Sequence, residues 1–230
     1  DSRDPMSLDD PAESFEEATA QQRVPPRIAF SPDLGVTPVD PEVAQICERA
    51  AKRFEELGAR VEAAHPDFSG LQEVFQIHRA LSYGTSLGPE LEANREVFKP
   101  EIVWNVEKGL GLTGQEIMDA MVTRSKIYQR ANEFFSTYDL VLTPATVVPP
   151  YPVEQRFVER VGDHKFSNYI EWCSIAYAFT VIGAPAISIP CGFTQSGLPV
   201  GLQIAAPARQ EARLLSAACA LENLLRLSDQ

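Results

Sequence analysis

An α/β layered fold is predicted for this chain by three observations. Short apolar segments with strand character alternate with longer segments of helical periodicity, and caps and breakers fall at the joints between them. The first joint is Arg27-Ile-Ala-Phe30, read as a strand with Ser31-Pro-Asp-Leu-Gly35 as its exit loop. Asp40 then caps a helix that has Pro41 at its first position. Val43, Ile46, Cys47, Ala50, Phe54 and Leu57 form one stripe along it, and Gly58 stops it. Val61, Ala63 and His65 alternate as a second strand, so the unit is β-α-β and its two strands are expected to be parallel.

Leu71 to Leu87 carries a helical pattern with Leu71, Val74, Ile77 or His78, and Leu81 facing inward; Gly84, Gly88 and Pro89 are expected to weaken its end. The capping-box pattern Thr113-x-x-Glu116 opens another helix. It runs through Ile117, Met121, Tyr128, Ala131 and Phe135 into a strand over 139–143. The segment 144–166 holds four prolines and reads as a long loop, a class that is commonly functional or mobile. Asn168-x-x-Glu171 opens a helix to about Ala178. Two apolar strands follow, Ala186 to Ile189 and Val200 to Ala205, expected to be buried and joined by a tight turn at Ser196-Gly197. A last helix lies within Pro207 to Leu225. Residues 1–26 are polar and rich in acidic residues, Gln and Pro, and are read as a connector or strap without a core of its own; 27–230 forms the domain.

Composition narrows the function classes. Hydrophobic residues make up 44% of the chain, as in ordinary globular proteins. Lys and Arg number 20 against 32 Asp and Glu, a net charge of −12, which argues against nucleic-acid or anionic-membrane partners. No apolar run is long enough to span a bilayer and no signal peptide is apparent, although the chain begins at Asp1 without Met. Cys47, Cys173, Cys191 and Cys219 are dispersed without a C-x-x-C pair and read as reduced thiols of a cytoplasmic protein. Three scattered histidines make no metal-ligand pattern, Asp163-His164 reads as a solvated pair, and Gly109-x-Gly111 lacks the context of a dinucleotide loop.

The most specific stretch is Gly183-Ala-Pro-Ala-Ile-Ser-Ile-Pro-Cys-Gly192 followed by Gly197-Leu-Pro-Val-Gly-Leu-Gln203. It resembles the C-terminal signature of the amidase signature family, serine hydrolases of carboxamides. Asp139-Leu-Val-Leu-Thr-Pro-Ala-Thr146 resembles that family's strand and Thr-Pro turn. Asp1-x-x-Asp4-x-x-Ser7 resembles the segment after its catalytic core, and Pro207 to Leu225 its last helix. The resemblance implies a mixed sheet layered with helices, of which this chain is the C-terminal part, incomplete without an upstream half. It implies no cofactor and no metal. Its partners would be the missing N-terminal half and a small-molecule amide, or a second copy of itself in a homo-oligomer, because half a fold leaves a sheet edge uncovered.

Enzymes of that family use a Ser nucleophile, a bridging Ser in a cis peptide and a Lys base whose pKa burial must lower. This chain has no Ser-Ser dipeptide and no glycine-rich serine loop, and Ser125-Lys126 are helical neighbours that point apart. No catalytic residue is therefore assigned here; the triad is expected outside the chain, which would be inactive alone. The resemblance puts substrate-facing positions on the helix before Gly183. Ile170, Cys173 and Tyr177 lie at i, i+3 and i+7 there, either as pocket or as plain core stripe. Trp172 is read as lid or packing residue. Thr143 and Thr146 flank the turn of the pocket floor, with ordinary turn chemistry as the alternative for Thr146. Thr180 stands where many relatives carry Asn. Cys173 stands near the Asp with which glutamine-hydrolysing relatives read an ammonium, and the basic cluster those relatives carry around Pro100 to Val106 is missing. Both favour a general amidase over the A-type subunit of a glutamine amidotransferase. The remaining alternative is a non-catalytic chain that binds a ligand or partner.

Overall fold

The computed structural model describes residues 3, 7, 8, 11 and 13–225. Most of the Asp1-x-x-Asp4 pattern and the last five residues lie outside the described residues. Within the polar leader the first element is a helix, α1 (Phe15–Gln21), held by a capping box in which Ser14 and Glu17 answer each other's backbone N–H groups. Ser14-x-x-Glu17 is the same pattern as Thr113-x-x-Glu116, and it is the sequence signal for this helix. Its contact residue is the fully buried Ala18, while Phe15 stays 44% exposed.

The elements that follow are β1 (Arg27–Phe30), α2 (Pro41–Lys52), β2 (Arg60–Ala63), α3 (Leu71–Asn94), α4 (Pro100–Leu110), α5 (Gly114–Phe135) and β3 (Leu140–Pro144). After them come the two-residue strands β4 (Arg160–Val161) and β5 (His164–Lys165), then α6 (Ser174–Val181), β6 (Ala186–Phe193), β7 (Pro199–Ala205) and α7 (Glu211–Leu225). Five strands form one sheet in the order β2-β1-β3-β7-β6. β1 runs parallel to β2 and β3, whereas β7 is antiparallel to β3 and to β6, so the sheet is mixed.

Alternation along the strands sorts side chains to two faces. Ile28, Phe30, Leu140, Leu142, Leu202 and Ile204 meet Val43, Phe54, Leu214 and Leu221 of the layer formed by α2, its 3₁₀ extension and α7. Ala29, Val141 and Ala205 point the other way, toward Leu71 and Val74 of α3, Ile127 and Ala131 of α5, and Ile175 and Phe179 of α6. All five residues of β3 are buried, as a central strand covered on both faces requires.

The start of α2 is set as the sequence predicts, Asp40 Oδ1 accepting from the N–H groups of Glu42 and Val43, but the α-helix ends at Lys52, earlier than expected, and Gly58 instead ends the following 3₁₀ segment in the left-handed region at φ 88°. Leu57, expected on the stripe, is 36% exposed, because the tighter 3₁₀ turn over Arg53–Leu57 rotates it off the core. His65 lies beyond β2, its Nδ1 2.9 Å from the Pro66 carbonyl. In α5 the inward face is Ala120, Ile127 and Ala131; Met121 and Tyr128 are one residue out of phase with it and are exposed.

Two larger corrections concern α3 and β6. α3 continues through Gly84, Gly88 and Pro89 to Asn94, and α4 packs along it. The glycines serve that crossing. A Cβ on Gly109 of α4 would lie 1.9 Å from the Ala80 carbonyl oxygen, and one on Gly84 would lie 2.9 Å from the backbone of Gly109. The second correction is that β6 is not a buried strand. It is an edge, with Ala186, Ser188 and Pro190 exposed. Pro190, which has no N–H to give a neighbouring strand, is the sequence sign of an edge. A register irregularity lies between Pro190 and Gly192.

Candidate functional site

Beside the exposed side of β6 the chain forms an apolar cleft of about 450 Å³. Its floor is the turn that follows β3. Thr143 is fully buried in the sheet, and its Oγ1 has no hydrogen-bond partner among the described residues. Thr146 is exposed in the cleft wall, where its hydroxyl donates to the Val148 carbonyl at 2.8 Å. Turn chemistry thus describes the bond that Thr146 makes, and the pocket reading describes its place.

The opposite wall is Trp172, its indole Nε1 donating to the Tyr169 carbonyl at 2.9 Å and its ring edge-on to Tyr151 at 6.0 Å. Tyr151 comes from the proline-rich loop, and Ser188 and Pro190 come from the outer side of β6. Sequence reasoning misses these three. Tyr151 carries no periodic signal, and Ser188 falls in a strand expected to be buried.

Helix α6 begins later than its pattern suggests. Asn168 Oδ1 accepts from the N–H groups of Ile170 and Glu171, but the first turn is 3₁₀ over Glu171–Cys173, and the α-helix runs from Ser174 to Val181. Glu171 does not complete a capping box with Asn168; it accepts instead from the backbone N–H of Ser167 at 2.7 Å and from the Ser167 hydroxyl. The 3₁₀ turn breaks the spacing that groups Ile170, Cys173 and Tyr177. Ile170 packs half-buried on the core and Cys173 is half-buried, while Tyr177 is buried with its ring stacked on Phe75 at 3.6 Å. None of the three lines the 450 Å³ cleft, so the structure brings Thr146 and Trp172 together there and sets Ile170, Cys173, Tyr177 and Thr143 behind it.

Burial tunes two of these groups. It raises the Cys173 thiol to about 11, against a smaller lowering by nearby Arg79, so the sulfur is a neutral thiol at pH 7. Burial also raises Tyr177, with Cys173 and Glu171 adding to it, and its hydroxyl has no partner among the described residues.

No lysine is bonded to Ser125 or forms an activated pair with another serine within 14–225. Ser125 donates to the Met121 carbonyl at 3.0 Å, and Lys52 binds Glu48 at 2.7 Å. Burial lowers Lys108 from its ordinary value, but its ammonium lies over the Trp104 ring, 5.2 Å from the centroid. His164 is exposed, with Nε2 3.7 Å from Glu171. No helix among the described residues is long and apolar enough to cross a membrane.

Comparison with known proteins decides the family. The model of the Amidase family matches residues 1–215. The chain belongs to the amidase signature family. Among curated amidase relatives, the acylamidase of Rhodococcus erythropolis is 30% identical over 238 residues, covering 100% of this chain and 49% of its own length. The A-type subunit of glutamyl-tRNA(Gln) amidotransferase from Moorella thermoacetica is 30% identical over 209 residues, covering 80% of this chain and 41% of the relative. In fold, the chain is similar to a bacterial aryl acylamidase of the amidase signature enzymes, with a TM-score of 0.88 at 23% identity over 100% of this chain and 49% of that one. The chain therefore spans about half the length of these amidases.

Proposed function

We propose that this chain forms substrate-pocket walls of a carboxamide hydrolase whose Ser-Ser-Lys triad lies outside it. The observation that supports this reading best is the apolar cleft bounded by Thr146, Trp172 and the outer face of the signature strand β6, a lined concavity beside a sheet edge that no strand among the described residues pairs with. The missing N-terminal half would pair with that edge and present the nucleophile to the cleft. The whole protein would then turn an amide and water into a carboxylate and ammonia or an amine through an acyl-serine, and the chain alone would be inactive. A relative named an acylamidase is consistent with an acyl amide as the substrate class.

The amidotransferase reading has the support of a 30% identical relative, and one residue weighs against it. A neutral, half-buried Cys173 offers no charge to the ammonium of glutamine.

The test is steady-state hydrolysis by the full-length protein of a short acyl anilide, a primary carboxamide and glutamine. Trp172→Ala and Thr146→Ala, both in the cleft wall, should change the preference among amides by about tenfold, equivalent to about 1.4 kcal/mol, with the melting temperature little moved. An equal fall on every amide with a lowered melting temperature would show these positions to be packing alone. Glutamine as the preferred wild-type substrate would install the amidotransferase reading.

A further inference from the structure

We propose that the cleft between α3, α5 and α6 is a binding site for a small organic anion with an apolar body, a carboxylate on an aryl or alkyl group. The cleft holds about 330 Å³, toward the lower end of small-ligand pockets. Val74, Phe75 and Val181 supply an apolar wall, and Arg79, Arg124 and His78 supply the polar one. None of its lining residues is Asp or Glu, in a chain whose net charge is −12.

The two arginines are positioned without being neutralised. Arg79 donates from Nη2 to the hydroxyls of Tyr83 and Tyr169, each at 3.0 Å, and its guanidinium carbon lies 4.6 Å from the Tyr83 ring centroid and 6.0 Å from that of Phe75. These partners fix the fork and leave its charge intact. Arg124 donates from Nε to the Val181 carbonyl at 2.8 Å, which ties it to the end of α6 and directs it to the same cleft. Neither forms a salt bridge to a described residue. His78 Nε2 is shut from solvent with no hydrogen-bond partner among the described residues. Burial first, and Arg124 second, hold the His78 pKa below its ordinary value, so the ring is a neutral donor or acceptor.

A carboxylate suits this set because its two oxygens can take bonds from two guanidinium groups while the rest of the ligand covers the apolar wall. A bare phosphate would leave that wall uncovered, and an amine would be repelled. The site is made by three elements of this chain, so the proposal stands whether or not the hydrolase reading does.

Calorimetric titration of the full-length protein with phenylacetate, with its neutral ketone analogue phenylacetone and with inorganic phosphate tests it. Phenylacetate should bind at least about tenfold more tightly than either of the others, and Arg79→Met and Arg124→Met should each weaken it by about tenfold. Should Arg79→Met fail to fold, Arg124→Glu, at an exposed position, carries the test with a larger loss expected. Equal affinity for the ketone or for phosphate, affinity untouched by the arginine variants, or no saturable binding at millimolar concentration would overturn the proposal.

Discussion

The face of the sheet covered by α2 and α7 is filled with hydrocarbon and the paired thiols of Cys47 and Cys191, whereas the layer of α3, α4, α5 and α6 on the other face carries orphaned polar atoms. Gln76 Oε1, His78 Nε2, Asn105 Oδ1, Ser174 Oγ and the Tyr177 hydroxyl belong to the helices of that layer, and Thr143 Oγ1 points toward it from β3. On the first face the buried Ser216 hydroxyl is matched, accepting from the Arg23 N–H at 2.7 Å. An unanswered buried polar atom costs about 1–3 kcal/mol, so its confinement to one layer among the described residues is informative. The α2–α7 layer supplies stability with little else to do. The other layer gives up some stability to its unanswered groups, of which His78 lines a cleft.

The strongest challenge to this contrast is to damage the first layer. Phe54 is fully buried among Ile28, Leu140 and Leu221. Phe54→Ala should cost about 3–5 kcal/mol in urea unfolding while leaving ligand binding by the folded fraction unchanged. A cost below about 1 kcal/mol would mean that this layer is not the source of stability.

Gly109→Ala comes next. The new methyl group meets the Ala80 carbonyl oxygen and must push α4 off α3, at a cost of about 1–3 kcal/mol. Hydrogen exchange should report the loss in α3 and α4 before α2 and α7. Uniform loss would merge the two layers into one cooperative unit.

A pH series separates the layers more gently. Burial alone would raise the Glu171 pKa, but the Ser167 donors, with His164 alongside, outweigh it and hold the carboxyl below its ordinary value of 4.5. The stabilisation is thus present above the unfolded value and is lost as pH falls through the lower folded one. Glu171→Gln should flatten the decline in melting temperature below about pH 4.5, by a few degrees at most in a chain of this size. An unchanged acid profile would remove Glu171 from the account.

Tyr177→Phe should have the smallest effect. It deletes an orphaned hydroxyl and keeps the stack on Phe75, so thermal unfolding should move by less than about 1 kcal/mol in either direction. A loss of about 2 kcal/mol or more would reveal a partner for that hydroxyl.

Much of the scaffold is legible in the sequence because its signals are local. Asp40 and Pro41 start α2 and Gly58 ends its 3₁₀ extension by backbone chemistry that acts within a few residues, and period-two alternation in β1, β3 and β7 sorts side chains to the correct faces. The full length of α3 is not legible, because Gly84 and Pro89 are helix breakers in isolation. The reason Gly84 is needed is the approach of Gly109, 25 positions away, and no local pattern encodes it. The candidate site is half legible. Thr146 and Trp172 are placed by resemblance and do line one cleft, but grouping Cys173 with Tyr177 assumes continuous α-helical spacing across what is a 3₁₀ turn. Arg79 and Arg124 lie on different helices, and only their convergence makes them notable.

The docking of α1 on α7 has a consequence in time. The Arg23 N–H, just past α1, and the Ser216 hydroxyl it binds on α7 are 193 positions apart, so α1 leaves the ribosome long before the helix it packs on. At about 5–20 residues per second, α1 must wait roughly 10–40 s for its partner. Its own capping box and acidic first turn favour the helical conformation meanwhile. The leader can then dock only once α7 has emerged, so a nascent chain stalled before α7 would leave the buried face of Ala18 open to water.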